Sequence, residues 1–245
     1  MIRFFMPMSG NLGDTLNVMP MLSGIKKATG HKISLVVRDK MSAFNGFREF
    51  MEMQDPIANL KFESEVQLDN TYNTLSLVDD FPLHPVRPYE TVRFEEYLKR
   101  NYTMNIDSDD SFILNVPDPQ EDIGDKFIVG DRTMSSKGGD QRRAFDFLKQ
   151  SGKFPLDKCH FLDYNKPVAH NAALMKVTTK HIFTTFTGAS NIADLLDKKT
   201  VILWGDDLKN WDNKPIEYSF QKHFYRDRKC KLQYLGDFKL SDYEA

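Results

Sequence analysis

Short apolar runs with the length of buried strands alternate with longer segments of helical period along most of the chain. A parallel sheet covered by helices on both faces produces this pattern, because strands buried on both sides read as nearly continuous hydrophobic runs. In the first half the pattern predicts strands at residues 1–6, 32–37 and 74–78 and helices at 14–29 and 89–102, the last with Val92, Tyr97 and Leu98 on its buried side. Asn115-Val116-Pro117-Asp118-Pro119 then breaks both periods, since each proline removes a backbone donor and disfavours helix in the residue before it. Beyond this break the alternation resumes, with strands at 126–130, 159–162, 181–185 and 200–204 and helices at 141–151, 168–176 and 190–196. Past Gly205 the chain is polar and aromatic without a clear period.

The prediction is an α/β protein of two Rossmann-like domains facing a cleft. Residues 1–116 form the first domain and residues 117–222 the second, and a tail at 223–245 packs back across the junction. In open α/β sheets ligands bind beyond the carboxyl ends of the strands, so the loops that leave strands and enter helices are where function is sought.

Composition narrows the classes without naming one. With 245 residues, 40% hydrophobic content and a formal net charge of −2, the chain can bury a core without staples and shows no general affinity for polyanions. The first 116 residues are net acidic and the remainder net basic, with clusters at 132–153 and 222–231, which suits either a local anionic ligand or a solvated surface. Only two cysteines, Cys159 and Cys230, and no charged-then-apolar leader predict a reducing, cytoplasmic setting. No uninterrupted apolar stretch has the length of a membrane-spanning helix.

The first loop runs Pro7-Met8-Ser9-Gly10-Asn11-Leu12-Gly13-Asp14 into a helix that begins at or just after Asp14. Gly10 and Gly13 let the backbone turn sharply and approach a ligand, with Asn11 between them, and Asp14 stands at the mouth of the cleft. A carboxylate there suits a general base that deprotonates an attacking hydroxyl, and equally an N-cap. The loop lacks the Gly-Lys-Ser/Thr ending of a P-loop and the G-x-G-x-x-G dinucleotide spacing. In the second half, Thr187-Gly188-Ala189-Ser190-Asn191 follows a strand and opens a helix, where free amides and hydroxyls suit phosphate or simply cap the helix. The loop after the strand at 126–130 offers Arg132, Ser135, Ser136 and Lys137 as further phosphate donors, next to Gly138-Gly139, and a surface turn has the same composition.

Gly13-Asp14-Thr15-Leu16-Asn17-Val18-Met19-Pro20, residues 84–102, and Thr187-Gly188-x-x-x-x-Ala193 followed by Thr200-Val201-Ile202-Leu203-Trp204-Gly205 together resemble the ADP-heptose lipopolysaccharide heptosyltransferase family of GT-B glycosyltransferases. The resemblance implies a minimal, shortened GT-B transferase whose second domain holds a nucleotide sugar and whose first presents an acceptor hydroxyl. It places the family's catalytic aspartate on Asp14, its diphosphate-binding turn on Thr187 and Gly188, and its donor loop near 135–137. The family's turn aspartate is Phe186 here and its turn histidine Asn191, so the identity of nucleotide and sugar does not carry over. Similar minimal enzymes act on hydroxymethylated pyrimidines in phage DNA, which makes nucleic acid, besides a glycan or lipopolysaccharide core, an acceptor to consider.

The implied chemistry is displacement at the anomeric carbon, transferring a hexosyl, heptosyl or pentosyl group, with phosphate donors stabilising the departing nucleoside diphosphate. It calls for no cofactor beyond the nucleotide-sugar donor and for no metal: there is no D-x-D triplet, and His31, His84, His160, His170, His181 and His223 show no zinc-type spacing. A cysteine or serine hydrolase is disfavoured by the absence of a G-x-S-x-G elbow. Trp204, Trp211, Phe220, Phe224 and Tyr225 suit core packing better than stacking on a base. The replaced turn residues leave one other class open, a catalytically silent nucleotide-sugar sensor or scaffold.

Overall fold

The computed structural model describes residues 2–7, 11–75, 85–102, 105–130, 150, 152–204, 216–225 and 228–244. The predicted helix at 141–151 and the loop at 132–137 lie outside this set apart from Gln150. Two parallel sheets carry the fold. The first contains β1 (Ile2–Met6), β2 (Ile33–Val37), β3 (Ile57–Phe62) and β4 (Asn73–Thr74), in the order β3-β2-β1-β4. The second contains β5 (Phe127–Gly130), β6 (Cys159–Phe161), β7 (Ile182–Thr184), β8 (Thr200–Trp204) and β9 (Cys230–Tyr234), in the order β6-β5-β7-β8-β9. Every residue of β2, and every residue of β8 but its last, is buried, as expected where helices cover both faces.

Strand order reverses beside β1 in the first sheet and between β5 and β7 in the second. At such switch points the loops leaving neighbouring strands diverge to opposite faces and open a crevice at the carboxyl ends. The register sets Phe5 beside Thr74 and Gly130 beside Thr184, so both crevices start at defined residues.

The helix predicted over 14–29 is two helices, α1 (Leu12–Asn17) and α2 (Met19–Thr29), joined at Val18. Pro20 is the physical reason: with no N–H to donate back to Leu16, it cannot continue a helix already under way but fits the first turn of a new one. Gly30 closes α2 in a left-handed conformation, φ 71°, with Lys26 and Lys27 in the last turn where the helix dipole favours cations. The other helices are α3 (Phe47–Glu52), α4 (Tyr89–Tyr102), α5 (Val168–Val177), α6 (Gly188–Leu195) and α7 (Ile216–His223).

One hydrophobic core runs through both lobes, joining Leu16, Met19 and Leu22 of the first to Ala189, Ile192 and Leu195 of the second. The connection between lobes is pinned on both sides: Gln54 exchanges two hydrogen bonds with Asn115, 2.8 and 2.9 Å, and Leu114 N–H donates to Leu195 C=O at 3.1 Å. The aperiodic tail supplies α7 and the edge strand β9. Arg228 ties it down, donating to the carbonyls of Asp194 at 2.8 Å, Asp110 at 3.0 Å and Phe112 at 3.1 Å.

Candidate active site

Helix α1 leaves the carboxyl end of β1, and α6 leaves the carboxyl end of β7; the two first turns press against each other across the cleft. Glycine makes this approach feasible. A Cβ on Gly13 would collide with the side-chain oxygen of Asn191, and one on Gly188 would lie 2.7 Å from the Cβ of Leu12.

Asp14 occupies the third position of α1, half-buried, where the positive end of the helix favours a carboxylate. The N-cap position belongs to Asn11, whose side-chain amide donates to Asp14 Oδ2 at 3.2 Å. The N-cap reading of Asp14 therefore fails. Next to it, Glu90 on α4 and His223 at the end of α7 come together, with Glu90 Oε1 3.3 Å from His223 Nδ1. Glu90 is 7% exposed. Burial opposes its ionisation, but the charge and hydrogen bond of His223, with a further bond from Asn17, outweigh that and hold the carboxyl below its ordinary range.

Two buried amides knit this corner. Asn17 Nδ2 donates to Glu90 Oε2 at 3.2 Å and to the His223 carbonyl at 3.1 Å, while Asn191 Nδ2 donates to Asn17 Oδ1 at 3.1 Å and to the same carbonyl at 3.2 Å. Helices α1, α6 and α7 thus meet in one polar cluster, with Thr91 of α4 donating to the Asn17 carbonyl at 2.6 Å.

No family model and no curated protein matches the chain. Solved structures do. The chain resembles a family 9 glycosyl transferase from Veillonella parvula with a TM-score of 0.59 at 12% identity, over 95% of this chain and 86% of that one. It resembles the E. coli heptosyltransferase WaaC with ADP at a TM-score of 0.59 and 11% identity, over 98% and 97% of the two chains. For E. coli ADP-heptose lps heptosyltransferase II the values are 0.53 and 10%, over 98% and 96%. The chain has the GT-B fold.

Within this GT-B cleft the predicted residues divide by what their side chains already do. Ser190 is fully buried, and its hydroxyl accepts from Thr187 N–H at 3.1 Å and donates to Thr187 C=O at 2.5 Å, closing the turn on itself. Asn191 is committed to Asn17 and His223. Gly188 turns its α-carbon toward Leu12. Thr187, at the N-cap of α6, stays half-exposed with its hydroxyl 3.4 Å from that of Thr184. Gly10, Arg132, Ser135, Ser136 and Lys137 lie outside the described residues.

One expectation is overturned. Sequence spacing argued for no metal and no cofactor, yet Asp14, Glu90 and His223 each place a ligand atom within 4.8 Å of the others, a group able to hold a metal ion. Spacing missed it because its members come from three distant elements rather than one motif, and no local signal marks Glu90 or His223. Of the aromatic residues, Phe224 and Tyr225 are buried, Phe220 stacks on Phe224 with centroids 5.5 Å apart and Trp204 packs against the cluster of Phe224, while Trp211 lies outside the described residues. Burial pushes the Cys159 thiol up to about 11, which leaves no thiolate nucleophile there.

Proposed function

We propose that this protein is a glycosyltransferase that moves a sugar from a nucleotide-sugar donor to an acceptor hydroxyl, with Asp14 as general base. The observation that carries the reading is the abutment of α1 and α6, which sets the Asp14 carboxylate and the amide-bearing first turn of α6 in one cleft at the carboxyl ends of both sheets. A base on one wall and an anion-binding helix start on the other is what displacement of a nucleoside diphosphate requires. Structures of the same fold include a heptosyltransferase with ADP, which is in keeping with a nucleotide-linked donor. The acceptor is a glycan core or a hydroxymethylated pyrimidine in DNA.

The test is a transfer screen by mass spectrometry against a panel of nucleotide sugars, with glycan-core and hydroxymethylcytosine-DNA acceptors, with and without divalent cations. Asp14→Asn should lower turnover about 10²- to 10⁴-fold while donor binding persists. Equal turnover in both proteins would remove Asp14 from the role. One observation favours a second reading, a nucleotide-sugar sensor: Ser190 and Asn191 are engaged in holding the lobes and the turn. Donor binding without turnover in either protein would select it.

A further inference from the structure

The side chains of Asp14, Glu90 and His223 offer two carboxylate oxygens and one imidazole nitrogen at the meeting point of α1, α4 and α7. We infer that they form a binding site for a transition-metal dication of the zinc and cobalt class.

The donor set selects the class. Calcium and magnesium take oxygen ligands, whereas a mixed imidazole and carboxylate set suits first-row transition metals, with three protein ligands leaving a position open. The spacing agrees. Ligand atoms about 2.0–2.1 Å from a tetrahedral ion are separated by roughly 3.3–3.4 Å, and Glu90 Oε1 lies 3.3 Å from His223 Nδ1. Without an ion the two share the hydrogen bond described above, and a dication would take the place of its proton. Asp14 completes the set with a carboxylate oxygen within 4.8 Å of both.

Burial and support point the same way. Glu90 is a buried carboxylate, and buried charges are paired or coordinate metals. The outer contacts support two of the ligands: Asn17 holds the second oxygen of Glu90 and so orients that carboxylate, and Asn17 and Asn191 both hold the His223 carbonyl, fixing its main chain. An ion here would stand next to Asn191 on the first turn of α6 and add positive charge beside the anion-binding turn.

The site bears on the transfer reading, because an ion bound by Asp14 would withdraw that carboxylate from acting as a base, but cation binding itself is measured without donor or acceptor. The full chain, stripped with a chelator, is titrated with Co²⁺ by visible absorption and with Zn²⁺ by calorimetry. One equivalent of Co²⁺ should produce a saturable d–d band without sulfur charge transfer. Glu90→Gln, Asp14→Asn and His223→Asn should each weaken binding at least about tenfold, while His31→Ala, at an exposed histidine, leaves it unchanged. Melting curves of the metal-free variants show that each still folds, and Glu90→Gln keeps an oxygen for Asn17 if the others do not. Absence of a one-equivalent band, a thiolate-type band from Cys159 or Cys230, or unchanged affinity in all folded variants would overturn the site. Failure of the sugar-transfer screen would leave the cobalt result standing, so the two failures are distinguishable.

Discussion

At the scale of single residues, the cleft is built by two glycines and two asparagines. Gly13→Ala drives a methyl into the Asn191 carboxamide, and a small-to-large change in a packed contact costs about 1–3 kcal/mol. Urea denaturation should show that loss in Gly13→Ala and, when it is paired with Asn191→Ser, a combined loss smaller than the sum of the two single losses, because the shorter side chain withdraws the clashing oxygen. Strict additivity would mean the two residues do not touch. Asn191→Ala alone should cost about 1–3 kcal/mol, since it removes a donor from both Asn17 Oδ1 and the His223 carbonyl in a buried setting. Of the residues singled out in the sequence, Asp14 was legible because it follows a strand and a glycine turn. Glu90 and His223 were not, since nothing in Tyr89-Glu90-Thr91 or Lys222-His223-Phe224 distinguishes a residue of the cleft from a solvated one until the chain is folded.

At the scale of elements, the turn at Asp109 fastens the connection between lobes to α2. Its carboxylate accepts from Ser23 at 2.6 Å and Ser111 at 2.6 Å and pairs with Lys27 at 2.7 Å. Burial resists its ionisation, but these partners prevail and the carboxyl lies below its usual range. A depressed folded-state value means stability that is fully present above the unfolded pKa, near ~3.9, and is lost as pH falls through the folded one. Asp109→Asn should therefore be less stable than the parent at pH 7, by about 1 kcal/mol for a surface-facing network, and the gap should shrink at pH 3. A gap that widens in acid would reverse the sign. Elements with strong apolar runs were legible: β1, β2, β5, β7 and β8 fall within a residue of their predicted places. The edge strand β6 was legible too, at Cys159–Phe161, but the edge strands β3 and β9 were not. In β3 the burial of Ile57-Ala58-Asn59-Leu60-Lys61-Phe62 skips along the strand, and β9 reads Cys-Lys-Leu-Gln-Tyr, so neither shows the continuous apolar run of a central strand.

At the scale of the whole molecule, one core joins the two lobes and Arg228 fastens the tail to both the connection and α6. Calorimetry should record a single unfolding transition, since lobes that share a core lose it together; two resolved transitions would contradict this. Leu16→Ala, at a fully buried position of that shared core, should lower the transition as a whole by about 2–5 kcal/mol in stability. The contact of Leu12 with Gly188 and of Gly13 with Asn191 also bears on inheritance. The residue at 13 limits the size allowed at 191, and the residue at 188 limits that at 12, although each pair is split between the two halves of the gene. Recombination that exchanged one lobe for that of a relative would separate both pairs, so this cleft is expected to vary by changes within its loops rather than by trading halves.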